Sequence, residues 1–127
     1  MRKFYVAGNW KMNLNLAEAK ALVEGIKQGL PAGAQSKVDV AVCPPYYMLV
    51  PLAEQLKGTA IGLSAQNCYF EPKGAFTGEI SPQMLKDAGC DTVTIAHSER
   101  RQYFGESGEL LKKKVKADLA AGLKVLY

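Results

Sequence analysis

Thr92-Val93-Thr94-Ile95-Ala96 runs without a break into His97-Ser98-Glu99-Arg100-Arg101. The first five residues are β-branched or apolar and read as a short buried strand. The next five hold the only histidine of the chain, a serine suited to capping a helix and an acid suited to its first turn. A strand that leads directly into a helix start is the core of a βα unit. In α/β enzymes the chemistry gathers at such junctions, at the C-terminal ends of parallel strands. The partial positive charge of a helix N-terminus disfavours the imidazolium there. A neutral ring can donate a hydrogen bond to a substrate oxygen and return the proton later.

The same alternation extends in both directions. Phe4 to Ala7 predicts a strand, and Leu16 to Gln28 a helix with Leu22, Val23 and Ile26 on one face, ended by Gly29 and Pro31. Val38 to Cys43 predicts a second strand stopped by Pro44-Pro45, and Tyr46 to Leu56 a second helix with Gly58 as its C-cap. Ala60 to Ala65 is a third strand. Asn67 to Gly78 is a long loop marked by Pro72, Gly74 and Gly78. Ser81-Pro82 caps a short helix to Asp87, with Pro82 at its first position. Glu106 to Ala121 reads as one charged helix closed by Gly122, and Lys124 to Tyr127 begins a fifth strand.

Four consecutive βα units imply a parallel sheet flanked by helices. Neither G-x-G-x-x-G nor G-x-x-x-x-G-K-[ST] occurs, so no nucleotide fingerprint supports an open doubly wound sheet. A closed (β/α)₈ barrel takes about 250 residues. The 127 residues are about half of that and stop inside a strand, so an open doubly wound sheet and part of a (β/α)₈ barrel both remain.

Composition narrows the function classes. The net charge of +4 comes from scattered lysines. The one cluster, Lys112-Lys113-Lys114 with Lys116, has no interleaved aromatics and predicts a solvated helix face, with no nucleic-acid partner. A mild attraction for anionic substrates fits the charge equally well. Cys43, Cys68 and Cys90 are odd in number and widely spaced, which argues against a disulfide framework or a metal site. Met1-Arg2-Lys3 has the charge of a signal peptide, but the apolar stretch behind it is short and broken by Gly8, Asn9 and Lys11. No run approaches the ~20 apolar residues of a membrane span. The expectation is a cytoplasmic protein without a membrane partner.

Asn9 and Lys11 follow the first strand, where an amide and a cation can meet a phosphate or a developing oxyanion. Read alone, Asn9 is a turn residue and Lys11 a surface lysine. His97 read alone is equally a hydrogen-bonded structural histidine. Ser98 is most simply an N-cap. Glu99 is a first-turn acid that would pair with Lys11 if strands one and four converge. Arg100 and Arg101 would clamp a carboxylate or support an interface. The Asn67–Gly78 loop exceeds the usual 2–6 residues and carries Tyr69, Phe70 and Phe76. Exposed aromatics there suggest docking onto a partner subunit, the alternative being packing onto the chain's own loops.

Six segments are arranged in register along the chain: G-N-W-K-M-N (8–13), C-P-P (43–45), A-Q-N-C-Y (65–69), G-A-F-T-G-E-I-S (74–81), H-S-E-R-R (97–101) and F-G-E-S (104–107). On these the chain resembles the triosephosphate isomerase family of (β/α)₈ enzymes of glycolysis and gluconeogenesis, and the resemblance implies the N-terminal half of such a barrel, a single partial domain over 1–127. The resemblance implies interconversion of dihydroxyacetone phosphate and glyceraldehyde 3-phosphate through an enediolate, without cofactor or metal. It implies that His97 and Lys11 are catalytic, that Asn9 and Lys11 bind the phosphorylated triose, and that Ser98 and Glu99 support them. It implies a homodimer in which Thr77, Phe76 and Arg100 lie at the interface. The family's general base, a glutamate after strand six, and its phosphate loops after strands seven and eight have no counterpart in this sequence. Ala96 stands where most relatives carry glycine. The alternative function is a non-catalytic, self-associating half-barrel scaffold.

Overall fold

The computed structural model describes residues 2–127; Met1 lies outside them. Five strands form one parallel sheet in sequence order: β1 (Phe4–Asn9), β2 (Val38–Cys43), β3 (Ile61–Ala65), β4 (Thr92–Thr94) and β5 (Lys124–Leu126). Helices α1 (Leu16–Gly29), α2 (Leu49–Leu56), α3 (Pro82–Ala88), α4 (Ser98–Phe104) and α5 (Gly108–Ala120) lie between them. This is the curled N-terminal half of a (β/α)₈ barrel.

Two observations establish the curl. Pairing is staggered: Phe4, the first residue of β1, faces Val38, the first of β2, but Val40 faces Ile61 and Ser64 faces Thr92. Such stagger tilts strands as a closed barrel requires. A flat sheet with strands about 4.8 Å apart would also put β1 about 14 Å from β4. Instead the Tyr5 hydroxyl lies 3.2 Å from Thr92 Oγ1 on the concave face.

Alternation along the strands sorts the side chains. Val42, Leu63, Val93 and Ile95 face the helices and join one core with Ala19 and Val23 of α1, Leu49, Leu52 and Leu56 of α2, and Leu85 of α3. The concave side carries smaller, more polar groups, with Ser64 and Thr92 buried and Thr94 half-buried. Parallel strands are covered on both faces, and β2 to β4 follow that rule. Edge strand β1 does not: every one of its residues is exposed.

Helix ends follow side-chain chemistry. Asn15 and Glu18 make a capping box on α1, and Ser81 caps α3 ahead of Pro82. Gly89 ends α3 at φ 101, where a Cβ would also stand 2.7 Å from that of Ala53. Several boundaries differ from expectation. Residues Tyr46–Met48 form a 3₁₀ turn before α2, in which the Met48 amide donates to the Pro45 carbonyl and the Leu49 amide to that of Tyr46. Helix α5 begins at Gly108 because Ser107 accepts from the Leu110 amide as its N-cap, which leaves Glu106 in the preceding loop. Regular β4 ends at Thr94, although the Ile95 amide still donates to Leu126.

The lysine cluster corrects the sequence reading. Lys112, Lys113 and Lys116 are exposed, but Lys114 is buried. Leu111, Lys114 and Asp118 occupy the inward stripe of α5. Among the described residues, no helix is long and apolar enough to cross a membrane.

Candidate active site

Asn9, Lys11, Tyr46, Gln66, Asn67, Thr94, His97 and Glu99 line one cleft of about 410 Å³ at the C-terminal ends of β1 to β4. A second cleft of about 430 Å³ lies at the opposite ends of β2 and β3, against Leu30, Val38, Val40 and Ile61. Its lining holds no acid, histidine or cysteine among the described residues, whereas Asn9, Lys11, His97 and Glu99 all line the first.

On the β1 side, Lys11 sits at φ 55, a left-handed conformation that costs a side-chain-bearing residue about 1–2 kcal/mol. Three bonds hold it there. Its amide donates to Asn9 Oδ1 (2.9 Å), its carbonyl accepts from Gln66 Nε2 (2.9 Å), and its ammonium donates to Glu99 Oε1 (2.5 Å). The Lys11 hydrogen bond holds the Glu99 carboxyl below the usual range. Glu99 thus stays charged as the partner of the lysine.

On the β4 side, the structure corrects the capping assignment. His97, with extended backbone, is the N-cap of α4, and Ser98 is the first helical residue. Imidazole Nδ1 accepts the Glu99 amide hydrogen at 3.2 Å. With Nδ1 used as an acceptor, the proton of a neutral ring is on Nε2. Ala96 just before it has φ 66, so a methyl-bearing residue occupies a conformation that suits glycine.

Beneath the cleft lies a buried polar network that sequence reading missed. Glu106 accepts from Arg100 Nε (3.1 Å) and from the Lys114 ammonium, which also donates to Asn67 Oδ1 (2.8 Å). The Cys68 thiol donates to Asp118 Oδ1 at 2.9 Å, while Asp118 Oδ2 has no partner. Burial pushes the Asp118 carboxyl up to about 6, and it also raises the Cys68 thiol. The spacing of Leu111, Lys114 and Asp118, three and four residues apart, was the available signal that all three share one helix face. Gln66 could have been found by the rule that singled out Asn9, since it follows directly on a strand end.

The aromatic loop folds largely on itself. Tyr69 packs on Phe70 and Phe76, with ring centroids 4.5 and 4.7 Å apart, and Tyr69 and Phe70 are half-buried rather than exposed. Phe76 remains partly exposed, and Thr77 is exposed. The Arg100 guanidinium lies 4.7 Å from the Phe104 ring centroid, held between that ring and Glu106.

A half-barrel of parallel strands with helices outside it belongs to the α/β-barrel class of folds. Residues 4–127 match the family model described as triosephosphate isomerase. A relative from Herpetosiphon aurantiacus named triosephosphate isomerase is 52% identical over 124 residues, covering 98% of this chain and 49% of its own length. One of the same name from Carboxydothermus hydrogenoformans is 50% identical over all 127 residues and 50% of its length. Another from Streptococcus equi subsp. zooepidemicus is 52% identical over 96% of this chain and 48% of its own. The chain belongs to the triosephosphate isomerase family. It spans about half the length of the curated relatives it matches.

Proposed function

We propose that residues 1–127, as one partial barrel domain, carry the electrophilic side of a triose-phosphate isomerase site. The observation that supports this most is the convergence of Lys11 and His97 on one cleft from opposite ends of the β1–β4 span. In the proposed reaction the substrate is dihydroxyacetone phosphate, with Asn9 and Lys11 as its binding groups. Lys11 and the His97 Nε2–H polarise the carbonyl oxygen. A carboxylate takes a proton from the adjacent carbon, giving the enediolate. His97 moves a proton between the two oxygens, and the carboxylate returns its proton to the other carbon, yielding glyceraldehyde 3-phosphate. Glu99 is the one carboxylate among the described residues lining the cleft, and it is engaged with Lys11. The base is therefore proposed to come from a C-terminal barrel half, which also supplies the phosphate loops. The setting is cytoplasmic glycolysis and gluconeogenesis.

The 127-residue chain by itself is expected to be inactive. Purified free of host enzyme, it should show the uncatalysed rate. Adding the C-terminal half of the Carboxydothermus hydrogenoformans relative should restore turnover. Turnover by the isolated chain that His97→Ala abolishes would overturn the assignment of the base; no turnover in the reconstituted mixture would overturn the isomerase reading.

A self-associating scaffold is the second reading, favoured by the exposure of β1, with Phe4 78% and Val6 55% accessible. Unpaired edges and exposed apolar side chains promote association. The proposed homodimer would instead use the Asn67–Glu79 loop with Phe76, Thr77 and Arg100. Light scattering of Thr77→Arg and Val6→Lys variants separates the two surfaces.

A further inference from the structure

We infer that Gln66 is a positioning residue that sets the backbone from which the Lys11 side chain reaches the cleft, an inference whose kinetic consequence rests on the isomerase reading. The Gln66 side-chain amide donates from Nε2 to the Lys11 carbonyl at 2.9 Å and to the Cys43 carbonyl at 2.8 Å. Both partners are carbonyl oxygens, so only the NH₂ end of the amide can face them, and its two hydrogens are both used. The Cys43 carbonyl also accepts the Trp10 amide at 3.1 Å. One glutamine therefore ties together the ends of β1, β2 and β3.

The loop is also held by Trp10, packed against the core with its carbonyl accepting from Asn13 Nδ2 at 2.8 Å, but the bond from Gln66 is the one on the Lys11 carbonyl itself. Lys11 holds a left-handed backbone, its neighbour Met12 is 94% exposed, and β1 buries none of its residues. A strained conformation persists only where its surroundings over-determine it. The Asn9 side chain holds the Lys11 amide, and Gln66 holds the carbonyl on the other side of the same residue. Glu99 then orients the ammonium. The roles differ: Glu99 directs the charge, whereas Gln66 fixes the point from which the side chain starts.

Gln66→Leu keeps the approximate shape and removes both donors. Gln66→Asn keeps the amide on a side chain one methylene shorter, which cannot span both carbonyls. In the isolated chain, the φ-sensitive coupling of the Lys11 amide proton should leave its positive-φ value in both variants. Contacts between the Lys11 and Glu99 side chains should weaken, while the β3–β4 amide signals stay in place. In the reconstituted mixture with dihydroxyacetone phosphate, kcat/KM should fall by up to about 10²-fold, the scale expected for misplacing a reacting group by an ångström. In a Lys11→Ala background, Gln66→Leu should have no additional effect on turnover, because the two changes then act on the same group. A Lys11 coupling unchanged in both variants, or effects that add fully in the double variant, would overturn the inference. Absence of turnover in the wild-type mixture would sink the isomerase reading alone, and the Lys11 coupling would still decide the role of Gln66.

Discussion

The two sides of the cleft are mounted on very different ground. Asn9 and Lys11 follow β1, an edge strand with every residue exposed. His97 follows β4, where Val93 and Ile95 are buried against the helices and strands stand on both sides. Hydrophobic packing fixes the histidine. Discrete polar bonds from Asn9, Gln66 and Glu99 fix the lysine. A net hydrogen bond is worth about 0.5–1.5 kcal/mol, whereas a fully buried aliphatic side chain is worth about 1.5–3. The lysine side is therefore the softer of the two, and its geometry is expected to depend on a few side chains.

The largest expected effect strikes the packed side at its functional tip. His97→Gln in the reconstituted mixture should lower turnover by about 10²–10⁴-fold, while loss of its N-cap bond to the Glu99 amide should cost the fold only about 0.5–2 kcal/mol. Steady-state kinetics beside urea denaturation would check both, and a small kinetic effect would remove His97 from the reaction.

Next comes the packing contrast itself. Leu63→Ala on β3 should cost about 2–5 kcal/mol. Val6→Ala on β1 should stay within about 0.5 kcal/mol. Similar shifts in the two urea midpoints would mean that the strands are not energetically distinct.

A pH series probes the network beneath the packed side. The Asp118 carboxyl is raised from 3.8 to about 6 by burial. Such a group favours folding most below about pH 3.8, where it is protonated in both states, and loses that contribution as the pH rises through 6. Asp118→Asn should thus stabilise the chain at pH 8, by about 2–3 kcal/mol at most, with the gain vanishing near pH 4. A gain independent of pH would show that the carboxyl does not titrate there.

The smallest effect concerns Ala96. Replacing it by glycine relieves about 1–2 kcal/mol of left-handed strain and adds about 0.5–1 kcal/mol of unfolded-chain freedom. The net gain should be at most about 1.5 kcal/mol, read as a slightly higher thermal midpoint; a loss would mean that the methyl group packs favourably.

The βα alternation was legible because each strand is a short apolar run closed by glycine, proline or a polar turn. His97 was legible because one residue marks both a strand end and a helix start. Its capping role was not, since serine is the better capper in general and only the extended backbone at His97 decides the boundary. Lys114 was misread because three lysines in a row suggest solvent, while their distribution around the helix depends on what the helix packs against. Gln66 was readable as a residue directly after a strand end, whereas Glu106 lies in a loop, where nothing periodic marks a side chain that reaches across to a helix.

The thiol of Cys68 has one more consequence. The nucleophile toward alkylating reagents is the thiolate, and here the sulfur is buried with its hydrogen directed at Asp118. Cys90 is raised to about 12 and Cys43 is raised as well, both by burial. The three sulfurs sit at the end of β2, after β3 and before β4. The folded chain thus carries internal reporters that stay silent toward iodoacetamide until the segment around each one opens. The order in which they are modified would record the sequence in which the half-barrel comes apart.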